Sequence, residues 1–289
     1  MPRVVFGRIN RRTEQPTLAE RTFQQDMQVL ARAGALEAAG PDGTEWIAGD
    51  LQLDPSGDFL TGILGFVADE KLREYAREVR SWKKGEVRVE VGASRRTLSP
   101  FAIDTRSEQR WLGLVPTLRI PPTRFARGFQ YLLERAVTSL GLLPAEWEID
   151  LITSTQRIYE WLQDHADIAQ LKRIVRIPNP GIDLSGEIEE MRSLAAGKKY
   201  ETYVPRYNRT LDLERDRELV ARLLEGVERG DIAIQIRTRE GSAFDSEHDV
   251  EQAQVADWDE DWDLATELVL EALRNFLEGR EVQQRLPDG

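Results

Sequence analysis

Residues 101–140, FAIDTRSEQRWLGLVPTLRIPPTRFARGFQYLLERAVTSL, constrain the fold more than any other stretch, because the spacing of their apolar side chains changes once, from that of a strand to that of a helix. The runs FAID and WLGL lie on either side of a polar turn and predict two paired strands. Pro121 and Pro122 then break the extended run; a proline in the first helical turn gives up no hydrogen bond that it would otherwise make. Beyond them Phe125, Phe129, Leu132, Leu133, Ala136, Val137 and Leu140 line one side of a helix over 123–140. A helix with a single apolar face next to half-buried strands has to lie on their sheet.

The rest of the chain follows the same grammar. Residues 4–9 read as a first strand, and Thr17-Leu-Ala-Glu20 has the spacing of a capping box that opens a helix running to about residue 36. Residues 44–53 and 59–67 form a hairpin about Pro55-Ser-Gly57. A charged helix over 70–82 ends at Lys83-Lys84-Gly85, two cations at the negative end of the dipole and a glycine for the left-handed cap. From 87 to 115 the period is two, as in three consecutive antiparallel strands. After Pro144, strands at 147–152, 171–177, 200–205 and 232–237 alternate with helices at 155–163, 186–195 and 213–226, and a last acidic helix covers 258–277. The expected class is α+β: a mixed, largely antiparallel N-terminal half with hairpins and a basic helix (1–143), then a βα-alternating half (144–289), with a boundary soft enough for one domain.

Composition narrows the chemistry. The 289 residues include no cysteine, which excludes disulfide staples, thiolate metal sites and a cysteine nucleophile. The N-terminus lacks the apolar core of a signal peptide, and no apolar run approaches the ~20 residues of a membrane helix, so the expected location is the cytoplasm. The net charge of −12 is unevenly spread. Residues 71–140 hold 15 basic and 7 acidic groups, whereas 240–289 hold 3 and 15. Zones so opposed either pair with each other or present themselves to a polyanion and a basic partner respectively.

No GxGxxG, P-loop, HExxH or GxSxG is present. The basic zone interleaves Lys83, Lys84, Arg88, Arg95, Arg96, Arg106, Arg110, Arg119, Arg124 and Arg127 with Trp82, Trp111 and Phe125, a pattern suited to phosphates and stacked bases and equally to solvated strand faces. Asp58, Asp69 and Lys71 have the spacing of a hairpin nuclease, in which two carboxylates hold Mg²⁺ and a lysine steadies the attacking water; Asp69 and Lys71 also suit the first turn of a helix. Without that site no cofactor or metal is expected. Carboxylates gather again at Glu146, Glu148 and Asp150, with Glu148 and Asp150 on one strand face, and at Glu187, Glu189 and Glu190. Trp258 and Trp262, four residues apart among acids, are candidates for docking a partner or for packing on the core. His165 stands at a helix end, where a structural role is expected.

The order of segments resembles an uncharacterised prokaryotic family known as a domain of unknown function. The likeness rests on the strand pair from Phe101-Ala-Ile-Asp104 to Leu114, the helix on Phe125 and Phe129, Glu148-Ile-Asp-Leu-Ile-Thr153 with its helix, 174–180 with the Asn179-Pro180 turn, and Gly230-Asp-Ile-Ala-Ile-Gln235. Asp231 departs from it, standing where an asparagine or glycine is expected. Such families occur in mobile-element and phage-defence neighbourhoods. The resemblance implies a non-enzymatic accessory or sensor subunit that contacts nucleic acid, a protein partner or a second copy, with no membrane association. A metal-dependent nuclease and a structural assembly protein are the alternatives.

Overall fold

The computed structural model describes residues 1–12, 22–40, 43–76, 81–89, 97–106, 110–141, 146–153, 155–176, 191, 194, 198–207, 209–211, 220, 227, 232–246, 248–259 and 261–285. They form an α+β fold whose sheets are mostly antiparallel. The chain divides into two compact units: Met1–Val4, Arg11–Ile149 and Gln254–Gly289 make the first, Val5–Asn10 and Asp150–Ala253 the second. Strands β1 (Arg3–Arg12) and β8 (Glu146–Leu151) belong partly to each. One change of unit follows Ile149, and the C-terminal helix groups with the first unit.

In the first unit β2 (Leu36–Ala39), β3 (Glu45–Leu53), β4 (Phe59–Ala76), β6 (Ser99–Asp104) and β7 (Trp111–Leu114) lie in the order β7-β6-β4-β3-β2, every neighbour antiparallel. All six residues of β6 are buried. Alternation explains this, because the two faces of the strand carry different helices. Phe101 meets Phe125 and Phe129 of α2 (Pro122–Ser139) at ring centroid distances of 5.8 and 4.8 Å. Ala102 is in register with Gly113, where an added Cβ would lie 3.5 Å from both Val269 and Leu273 of α4 (Trp262–Arg285). The sheet is thus covered by α2 on one face and α4 on the other.

The acidic helix docks by its apolar side, with Ala265, Val269, Ala272, Leu273 and Leu277 buried. An ion pair joining it to the hairpin has the opposite polarity to the one that charge zoning suggests: Arg274 of the helix reaches Asp54 at 3.2 Å. Desolvation raises the Asp54 carboxyl. Hydrogen bonds from the amides of Phe59 and Asp58 and from Ser56, with the Arg274 charge, outweigh that and hold it below the ordinary value.

Helix α1 (Phe23–Ala33) starts at a capping box made by Thr22 and Gln25, five residues after the expected one. Both sites carry the S/T-x-x-E/Q spacing, and residues 17–20 lie outside the described ones. Gly34 takes the left-handed conformation, φ 73°, and closes the helix, so Leu36 begins β2 instead of ending a helix.

Residues 70–82 correct a second expectation. Those that are described, 70–76 and 81–82, end β4 and begin β5 (Ser81–Val89), which among the described residues pairs with β4. The register sets Asp69 opposite Arg88, Lys71 opposite Glu86, Glu74 opposite Lys83 and Tyr75 opposite Trp82.

In the second unit β9 (Ile168–Arg176), β10 (Lys198–Tyr203), β11 (Ile232–Thr238) and β12 (Ala243–Asp245) form an antiparallel sheet in the order β10-β9-β11-β12. Leu171, Ile232, Ile234, Ile236 and Phe244 pack on Ile158 of α3 (Thr155–Asp164). The neighbours of β9 are antiparallel, one of the two arrangements that an alternation of strands and helices permits; the helices expected at 186–195 and 213–226 fall largely outside the described residues. His165 follows α3, stacks on Trp161 at 4.2 Å and donates from Nδ1 to the Trp161 carbonyl, the expected structural role. Short strand β13 (Gln252–Gln254) precedes α4. No helix among the described residues is long and apolar enough to cross a membrane.

Candidate functional site

Three arginines of the basic zone, Arg106, Arg110 and Arg124, are engaged within the first unit. Arg124 donates to the Arg119 carbonyl at 2.8 Å and holds its guanidinium 3.9 Å from the Phe66 ring and 5.6 Å from Trp46. Arg106 bonds Asp104 and lies 4.7 Å from the Phe59 ring, and Arg110 sits 5.1 Å from Phe23. A cation over a ring is engaged internally, and its stem adds packing. Arg119 is half-buried, and Arg127 is exposed on α2. Lys83, Lys84 and Arg88 occupy β5 in register with Glu74, Arg73 and Asp69. Arg95 and Arg96 lie outside the described residues. Arg124→Ala is therefore expected to cost about 1–2 kcal/mol in a urea titration, against less than about 0.5 kcal/mol for Arg127→Ala. Equal, negligible losses would return Arg124 to the free surface.

The nuclease constellation is not assembled. Asp58 stands just before β4, while Asp69 and Lys71 lie far along the same continuous strand. At about 3.3 Å per residue along the strand, that is a separation of roughly 40 Å. The Asp58 backbone instead closes the hairpin, its amide donating to Asp54 and its carbonyl accepting from Thr105. Among the described residues no group of three or more His, Asp or Glu could hold a metal ion. Asp150 is buried, where Asn10 of β1 donates to its carboxylate, while Glu148 is half-buried. Trp258 is only 4% exposed, which removes it as a docking residue, and Trp262 is half-buried at the start of α4.

What the structure does present is the edge of the second sheet. Residues 198–209, KKYETYVPRYNR, carry four cations and one acid in a chain of net charge −12. Nine large hydrophobics are exposed among the described residues, and four lie within this tract: Tyr200, Tyr203, Val204 and Tyr207. Among the described residues β10 ends the sheet, with β9 as its neighbouring strand.

Alternation sorts the tract into two faces. On the face away from α3, Tyr200 is 60% exposed, with the Lys172 ammonium of β9 5.0 Å from its ring. Lys198, Thr202 and, on β11, Arg237 are exposed on that face, around the buried Ile174 and Ala233. On the other face Glu201 sits in register with Arg173 and accepts from it at 3.0 Å; the Lys199 ammonium lies 3.3 Å away and the Tyr203 hydroxyl donates at 3.2 Å. Desolvation raises the Glu201 carboxyl, but Arg173 first, then Lys199 and Tyr203, bring it below its ordinary value.

After β10 the chain turns at Tyr207, where the Arg209 amide bonds the Arg206 carbonyl at 3.0 Å. The far side is anchored by the Leu211 amide on the Ile168 carbonyl and by the Arg239 guanidinium on the Arg209 carbonyl. Between these anchors Tyr207 is 92% exposed. No family model, characterised protein or solved structure matches the chain. The sequence signal of the tract was three tyrosines within eight residues among lysines and arginines, a pattern that a strand prediction alone leaves without a side.

Proposed function

We propose that the chain acts by binding, and that single-stranded nucleic acid lies along the β10 edge. The observation that supports this is the solvent-exposed Tyr200 ring beside Lys172 in a basic, tyrosine-rich tract at a sheet edge. A base stacks on an exposed aromatic whatever its identity, while nearby cations neutralise phosphates. In a duplex the faces of the bases are already stacked on each other, so exposed tyrosines favour the single strand. Serving as an accessory or sensor subunit of a bacterial defence or mobile-element system, the chain would use this edge to detect unpaired strands.

Fluorescence anisotropy with a labelled 12-nucleotide single strand, as DNA and as RNA, and with its duplex tests the reading at two salt concentrations. Both single strands bind more tightly than the duplex. Tyr200→Ala weakens them about 10-fold with little change in salt slope, and Lys172→Ala lowers the slope by about 0.7, the value for one phosphate contact on a single strand. Absence of single-strand binding at low salt, or an unchanged affinity in Tyr200→Ala, overturns it. Cleavage of either strand in Mg²⁺ would make the protein an enzyme and overturn it too.

A further inference from the structure

Three donors of different chemistry converge on the two oxygens of Glu201: a guanidinium nitrogen of Arg173, the ammonium of Lys199 and the phenol of Tyr203, all within 3.0–3.3 Å. A phosphate oxygen pair takes the same donor set, because guanidinium and ammonium form charge-assisted bonds to any oxyanion. Glu201 is also the only acid of the tract 198–209. Its side chain is 23% exposed, and those of Arg173 and Lys199 are 12% and 29% exposed, so the cluster is held by the sheet yet reached from solvent. Arg173 is fixed there by the register, directly across from Glu201 on the neighbouring strand. The basic exposed tract 198–209 thus carries its acid at the point where one of its cations, Lys199, meets Arg173 of β9.

We propose that Glu201 is an internal anion occupying a phosphate position of the β10 edge. This rests on reading that edge as the single-strand surface. With Glu201 in place Arg173 and Lys199 are already neutralised, and a ligand phosphate enters only by displacing the carboxylate. The wild-type chain therefore binds more weakly, and releases fewer counterions, than its count of cations implies. The carboxylate cannot be expelled far, since it is carried by the edge strand itself, so it competes at every encounter and restrains indiscriminate binding to polyanions.

The test compares Glu201→Gln with Glu240→Gln, which removes the same charge from an exposed turn of the same unit. Glu201→Gln is expected to tighten single-strand binding 3- to 10-fold and to steepen the salt slope by about 0.7, as one added phosphate contact does on a single strand. Glu240→Gln leaves both unchanged. Calorimetry with inorganic pyrophosphate is run beside it, and Glu201→Gln binds it more tightly than wild type. That arm reports on the anion position even where the wild-type chain binds no nucleic acid, so a failure of the single-strand reading and a failure of the Glu201 assignment are told apart. Glu201→Thr, which removes the charge, keeps all three donors and suits a strand, serves where Glu201→Gln does not fold, and it strengthens pyrophosphate binding in the same direction. Unchanged or weaker pyrophosphate binding in the folded variants makes the cluster an ordinary structural ion pair and overturns the proposal, as does equal tightening by Glu240→Gln.

Discussion

Asp150→Ala is expected to lower folding stability by about 3–5 kcal/mol, read as a shift of the urea midpoint at constant slope. Asp150 is 3% exposed in β8, and the Asn10 amide, itself 4% exposed, donates to its carboxylate. Two residues before Asn10, on the same face of β1, Arg8 is 2% exposed. Removing the carboxylate leaves a buried amide without this acceptor and takes an anion away from a strand that buries a guanidinium. Both changes expose the desolvation cost of the group left behind, which is larger than the net value of the bond that was lost. Asp150→Asn keeps the size and an acceptor oxygen while losing the charge, so its cost is intermediate. The measurement also separates two roles for the acids of β8. A carboxylate poised for chemistry commonly stores unfavourable energy, and its removal is neutral or stabilising. A loss below about 1 kcal/mol for Asp150→Ala would therefore point away from the structural role.

Elements whose partners are near in sequence were legible from the chain alone. The hairpin about residues 55–57, the strand pair 99–114 and the helix after Pro121 follow from local period and turn chemistry, and apart from the far end of β4, which runs on to Ala76, each lies within a few residues of its expected limits. Residues 70–82 were not legible. Leu72, Tyr75, Val79 and Trp82 fall at spacings of 3, 4 and 3, which is helical, and the β5 residues that pair with β4 cannot be deduced from that spacing. The same limit hid the fate of the arginines. Arg124 is far in sequence from Trp46 and Phe66, and no property of the basic stretch reveals that these rings lie beneath it. Conversely, the tract 198–209 read as a strand, but alternating tyrosines suit a buried face as well as an open one. Only the place of β10 at the end of the sheet decides between them.

Gly128→Ala sets local propensity against packing, and packing is expected to win by about 2–3 kcal/mol. On helix propensity alone alanine in the middle of α2 should stabilise by about 1 kcal/mol, since glycine is the poorer helix former. The new methyl carbon, however, would lie 2.3–2.5 Å from three atoms of the Trp46 ring, closer than non-bonded carbons can approach. The ring has little room to yield. Trp46 is 3% exposed, packs against Phe66 at a centroid distance of 5.5 Å, and has the Arg124 guanidinium 5.6 Å from its own centroid. Relief must come from α2 backing away from β3, which also loosens the contacts of Phe125 and Phe129 on Phe101. Trp46→Leu removes the obstructing ring and is costly by itself, but in that background Gly128→Ala should be nearly neutral or stabilising, because the methyl fills part of the space left. The signature is a strongly non-additive double-mutant cycle in urea unfolding. A Gly128→Ala protein as stable as wild type, or additive behaviour with Trp46→Leu, would mean that α2 does not approach β3 through a glycine.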